Sequence, residues 1–228
     1  MYCGEIKPIM DNLWGIKLDK KNKKVILEPE KSKKYFYYYP QLVVVIGVRD
    51  GDKVNFMPCV WNTGLSYDPF LYGVSVGADR FTCKMLNNVN EYSINFLGFE
   101  YIKMIRSLGR SSGSYTDKSN EFNIGYSESV LINAPIIDVA YYWLECRKKS
   151  SELYGDHVLF VGKVELMHLN EALAEDYIIN TKIVSPTLYL GVDHYIAADD
   201  NSLISLKNLP FHYKTGEKKK SEKWKLLF

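Results

Sequence analysis

The stretch 42-LVVVIGVRDGDKVNFMPCV-60 decides the fold. Two β-rich runs flank Asp50-Gly51, a dipeptide suited to a tight hairpin because glycine accepts positive φ at no steric cost. Residues 42–48 and 53–60 should therefore pair antiparallel, in a core that begins at Tyr35. A third strand is expected at 69–76, with Pro69 at its first position, where a missing N–H matters least. Phe81, Met85, Leu86 and Val89 then recur at helical spacing, predicting a helix over 82–88 that feeds a strand at 91–96. Helical spacing returns over 99–108 and stops at Gly109.

The next segment, 109-GRSSGSYTDKSN-120, is a Gly/Ser-rich loop, and loops of that length in compact domains usually serve function or motion. Two long β-rich runs, 139–150 and 156–169, joined by 151-SELYG-155, suit a barrel better than a flat sheet. A helix is expected within 171–183 and short strands at 187–191 and 194–198. The fold class is thus mainly β, a β-barrel with a few helices. The barrel domain should span 35–200, with extensions at 1–34 and 201–228.

A chain of 228 residues that is 46% hydrophobic can bury a sizeable core in one domain. Its formal net charge of +2 gives no general pull toward nucleic acid or a membrane. The lysine clusters 17-KLDKKNKK-24, 31-KSKK-34 and 218-KKKSEKWK-225 read as solvated faces or tails. Cys3, Cys59, Cys83 and Cys146 lie far apart with no Cys-x-x-Cys pair, as expected of a reduced, cytoplasmic protein. The start lacks the apolar core of a signal peptide, and 42-LVVVIGV-48 is too short to span a bilayer.

Several motifs fail on context. The segment 109-GRSSG-113 matches a nucleophile elbow, but a helix precedes it and a polar loop follows, the reverse of what holds such a serine on a strained turn. Neither a Gly-x-Gly-x-x-Gly nor a P-loop is present. The four histidines show no metal-ligand spacing. Two positive signals remain. Arg80 and Thr82 stand at the start of the 82–88 helix, where free amides and the dipole favour a phosphate, although Thr82 also suits a plain helix cap. His157, beside Asp156 at the start of a strand, sits where a titratable side chain meets either a ligand or a neighbour. Lys118, in the polar loop, adds a second cation.

The order and spacing of 50-DGDKVNFMPCVW-61, 64-GLSYDPFLYGVSV-76, 80-RFT-82, 91-EYSINF-96, 117-DKSNEF-122, 130-VLINAPIIDVAYYWLEC-146 and 156-DHVLFVGKVE-165 resemble the flavin reductase-like family of FMN-binding split barrels, which includes flavoredoxin. The resemblance covers roughly residues 38–190 and implies a split β-barrel, a homodimer, and FMN near the subunit interface. It implies that Asn55 and Trp61, with backbone around Pro58, Cys59 and Val60, lie along the isoalloxazine edge, and that Thr82, helped by Arg80, anchors the phosphate. Lys118 resembles the loop lysine that reaches the FMN, His157 the histidine by the ring, and Tyr189 a late aromatic against the flavin. Cys59 departs from the pattern, since a smaller residue is expected there, and fits as a buried strand residue.

The expected function is an NAD(P)H-dependent FMN reductase, with His157 and Lys118 supplying positive charge beside the ring and no side chain acting in proton transfer. A flavoredoxin-like electron carrier without direct NAD(P)H activity is the alternative, and a redox protein or monooxygenase is the expected partner. A β-barrel module for single-stranded nucleic acid is more distant, because no basic stripe runs through the barrel segments.

Overall fold

A computed structural model describes residues 36–175 and 178–205, so the lysine clusters, Cys3 and His212 lie outside the described residues. The chain divides into two units, Met1–Tyr38 and Tyr39–Phe228. In the first, the described residues form a 3-10 turn at Phe36–Tyr38.

In the second unit, β1 (Gln41–Leu42) precedes β2 (Val44–Asp50), which turns at Gly51 into β3 (Lys53–Cys59). The hairpin runs in register from Val44↔Cys59 to Asp50↔Lys53, and Gly51 has a φ of 59°, as the turn requires. At Val60–Trp61 the chain bends and resumes as β4 (Asn62–Tyr67), which turns into β5 (Phe70–Gly77). Helix α1 (Phe81–Asn88) leads to β6 (Glu91–Phe96), then α2 (Ile102–Arg110), the short α3 (Lys118–Glu121), β7 (Tyr126–Glu128) and β8 (Pro135–Ile137). The long strands are β9 (Tyr142–Tyr154) and β10 (His157–Leu169). Short pairs close the described chain: β11 (Ala174–Glu175) with β12 (Ile178–Ile179), and β13 (Thr187–Gly191) with β14 (His194–Ala197).

Seven strands form one antiparallel sheet in the order β3-β2-β6-β9-β10-β5-β4. Its two end strands are consecutive in the chain, so the sheet closes into a barrel through the Val60–Trp61 corner. There the Ser75 amide donates to the Trp61 carbonyl at 2.8 Å. Strand β4 is absent from the sequence expectations because 62-NTGLSY-67 carries glycine and small polar residues and is largely exposed. Neighbouring β5 recruits it, rather than its own propensity.

Alternation along β2 separates two cores. Val44, Ile46 and Val48 face a barrel interior shared with Val74, Ile94, Leu144 and Phe160. Val43 and Val45 face outward against Phe56, Ile105, Leu108 and Ile137. Buried polar side chains on that outer face hold the segment 130–137. Glu145 accepts from the amides of Val130 and Leu131 at 2.8 and 2.7 Å, and Asn95 Oδ1 accepts from the Ile137 amide at 2.9 Å. The Ser93 hydroxyl donates to the Pro135 carbonyl at 2.5 Å.

Three expectations change. Helix α1 starts one residue early, with Arg80 in the cap position, so Thr82 lies inside the helix. Helix α2 runs through Gly109 to Arg110, because the extended Ser111 rather than the glycine ends it. No α-helix forms at the described residues within 171–183. A 3-10 turn at Glu171–Leu173 opens a hairpin whose Asn180 amide donates to the Leu173 carbonyl, and β-branched Ile178 and Ile179 favour extended backbone. No helix among the described residues is long and apolar enough to cross a membrane.

The close approach of segment 130–137 to β2 depends on Gly47, where a Cβ would stand 2.4 Å from both the Pro135 carbonyl oxygen and Ser93 Oγ. Gly47→Ala is expected to destabilise the protein by about 1–3 kcal/mol, measured by urea unfolding.

Candidate functional site

The site grows from one face of β3 and the loop that follows α2. Asn55 is buried, and its Nδ2 donates to Thr82 Oγ1 at 2.8 Å, which ties β3 to the first turn of α1. Its Oδ1 is buried without a partner. Gly113 closes over that oxygen so tightly that a Cβ there would lie 2.4 Å from it, which is why the loop carries glycine at this point. Lys118 packs nearby. Its buried Nζ donates to the carbonyls of Phe56 and Leu108, both at 2.9 Å. Burial, and then the nearby Arg80, bring its pKa from the ordinary 10.5 down to about 8.

Thr82, Gly113 and Lys118 line a cavity of about 130 Å³ whose wall also includes Asp79, Arg80, Ser111 and Ser112. Cys83 and Lys84 donate to the Arg80 carbonyl, leaving the Phe81 and Thr82 amides as the helix's free donors. The one carboxylate on the wall among the described residues, Asp79, lies 3.7 Å from Arg80 Nε. Among the described residues no carboxylate pairs with Lys118. A small space bounded by a buried ammonium, a guanidinium, hydroxyls and helix amides is chemically suited to a phosphate.

Arg80 and Gly109 also line a larger neighbouring pocket, about 390 Å³, over Pro58 and Val60 and between Arg106, Arg110, Tyr189, Asp193 and Tyr195. Its volume falls within the range that holds drug-sized ligands. The Tyr189 and Tyr195 rings lie 4.9 Å apart at 53° and make an aromatic wall.

The structure distributes the expected site residues unevenly. Arg80, Thr82 and Lys118 meet at the small cavity, and Pro58, Val60 and Tyr189 line the large pocket. Asn55 lines neither cavity and touches Thr82 instead. Trp61 and His157 pack on each other, ring centroids 4.5 Å apart, outside both cavities. Trp61 Nε1 donates to the Tyr39 hydroxyl at 2.9 Å. His157 Nδ1 donates to Asp156 at 2.7 Å, which draws the Asp156 carboxyl below its usual range.

Cys59 turns its side chain into the barrel core, away from Pro58 and Val60, and its thiol lies 3.4 Å from the Trp61 carbonyl and 3.6 Å from that of Ser75. Burial pushes that thiol up to about 12. Sequence reasoning missed Ser111, Ser112, Arg106 and Arg110. The Gly/Ser loop was the signal for the first two; α2 offered none for the arginines, whose partner lies in the β13–β14 turn.

A family model described as "Flavin reductase like domain" matches residues 36–195. The solved structure of an FMN-binding protein from Thermus thermophilus with bound p-hydroxybenzaldehyde is 30% identical, with a TM-score of 0.72, covering 80% of this chain and 100% of that one. A flavoredoxin from Methanosarcina acetivorans shares the fold at 24% identity and a TM-score of 0.72, covering 82% of this chain and 97% of that one. An uncharacterized protein from Pyrococcus abyssi is 35% identical over 114 residues. That match takes in 50% of this chain and 65% of the relative, just under two thirds of its length.

Lys118 fixes two opposite pH slopes. Because its folded pKa is lowered, the unfolded chain binds the proton more tightly, so stability without ligand should rise with pH between about 8 and 10.5. Affinity for inorganic phosphate should fall over the same interval as the ammonium loses its charge. Urea unfolding and calorimetric phosphate titration across this range check both signs, and Lys118→Met should flatten both.

Proposed function

The chain belongs to the flavin reductase-like family, and we propose from that membership that it binds FMN in this groove and transfers reducing equivalents from NAD(P)H to the flavin. The observation that carries this reading is the buried Lys118 ammonium, hydrogen-bonded to two carbonyls, beside Arg80 and free helix amides. A buried charge needs compensation, and a ligand phosphate supplies it. The residues present therefore fit FMN.

In this arrangement Lys118, Arg80, Thr82 and the α1 amides hold the phosphate. Pro58, Val60 and Tyr189 bound the space for the ring, and backbone at Cys59 runs behind it. Trp61 and His157, packed together at the barrel corner, shape the outer edge, and Lys118, expected beside the ring, is assigned to the phosphate instead. FMN, when bound, supplies the hydride-accepting centre, and the protein's share is orientation and exclusion of water. The same proposal includes a barrel domain over 35–200, a cytoplasmic homodimer with the flavin near the subunit interface, and a redox or monooxygenase partner. Exposed Trp61, Leu65 and Tyr67 along the closing strand favour a covered surface there.

Purified protein should be yellow or acquire a shifted flavin spectrum on addition of FMN. Lys118→Met should weaken FMN binding about tenfold and Thr82→Ala by less, consistent with loss of charge-assisted and neutral hydrogen bonds respectively. A melting curve for each variant separates lost binding from lost folding. Stopped-flow mixing with NADH and NADPH should bleach the bound flavin. A flavin bleached only by a reduced protein would make the chain an electron carrier instead, and an unshifted spectrum would remove the flavin reading.

A further inference from the structure

The larger pocket contains an ion cluster that phosphate binding does not use. Arg106 and Arg110 stand one helical turn apart on α2 and would repel. Both reach a single carboxylate oxygen, Asp193 Oδ2, at 3.0 Å from Arg106 Nη2 and 2.6 Å from Arg110 Nη2. With Arg80 on the same wall, the pocket carries three guanidinium groups against Asp193. Its neighbours are the two tyrosine rings, Pro58 and Val60, so it offers an aromatic surface and surplus positive charge together.

Asp193 is carried on a strained turn. Gly191 pairs with His194, leaving Val192 and Asp193 as the central residues of a two-residue hairpin. Their φ values are 51° and 62°, following 102° at Gly191. Such turns favour Asn-Gly, and a β-branched residue at positive φ is a genuine outlier. Exposed Val192 has no burial to offset this. The grip of Asp193 on the arginines, with its amide donating to the Tyr189 hydroxyl at 3.3 Å, holds the turn in place. Hydrogen bonds first from Arg110 and then from Arg106 also keep the Asp193 carboxyl below its ordinary range, so it remains an anion.

We propose that Arg106 and Arg110 form a seat for the oxyanion of a second ligand, an aromatic anion that meets the flavin in the larger pocket, and that Asp193 occupies this seat until the ligand displaces it. The proposal rests on the flavin reading of the same groove. Asp193 presents one oxygen to both guanidinium groups, whereas an incoming phosphate or carboxylate presents several, matching the fork of each arginine. Release of Asp193 also relieves the turn, so strain favours exchange. The ligand's ring then lies against Tyr195, with Tyr189 left to the flavin.

Calorimetric titration of the full chain, with and without FMN, uses 2′,5′-ADP as a nucleotide phosphate and 4-hydroxybenzoate as an aromatic carboxylate; whichever binds identifies the source of the oxyanion. Arg110→Gln should weaken that probe about tenfold, and Asp193→Asn, which removes the internal competitor, should tighten it by a similar factor, while FMN affinity moves by much less than the probe's in both. Val192→Gly, which suits the turn without altering charge, should raise the melting temperature and weaken the probe, and it serves where Asp193→Asn does not fold. Failure of both probes to bind, a probe affinity indifferent to these substitutions, or an equal loss of FMN affinity in Arg110→Gln would overturn the seat. A chain that takes up no FMN but binds a probe with these effects would sink the flavin reading and leave the seat standing.

Discussion

Lys118 Nζ, donating to Phe56 on β3 and to Leu108 on α2, is the interaction on which the site depends. It joins a barrel strand, the helix outside it and the short helix that ends the Gly/Ser loop. That loop is thereby drawn across Asn55 and Thr82, with Gly113 as its tightest point. The cost is an ammonium taken out of water without a carboxylate among the described residues, visible as its fall to about 8. The free protein thus bears a desolvated charge, the feature on which the phosphate proposal rests.

The barrel places that charge where a long ligand can use it. Closure of the sheet through the Val60–Trp61 corner makes Pro58 and Val60 the floor of the larger pocket, one strand turn from the cavity beside Asn55. The buried row Ser93, Asn95 and Glu145 holds segment 130–137 against the outer face, and Ile137 in turn backs Phe56. The carbonyl that receives Lys118 is thus fixed by packing on a strand and by polar ties behind it.

Much of this was legible in the amino-acid sequence because local signals decide it. Asp50-Gly51 set the β2–β3 hairpin, the 81–89 spacing set α1, and the Gly/Ser run marked the loop over the cavity. What was hidden depends on long-range partners. Strand β4 has little propensity of its own, and the region from Glu171 to Ile179 looks helical until its hairpin bond is made. The contact between Asn55 and Thr82 joins residues 27 apart, so no spacing rule could show that they meet. The Arg106–Asp193 and Arg110–Asp193 pairs span still more of the chain.

The central claim is that the cavity beside Lys118 receives the phosphate of a flavin. Fluorescence titration of the same protein with FMN and with riboflavin, which differ only in that phosphate, tests it most directly. The account predicts that FMN binds more tightly by at least about tenfold, as charge-assisted contacts to a buried site imply. Equal affinity for the two would contradict it.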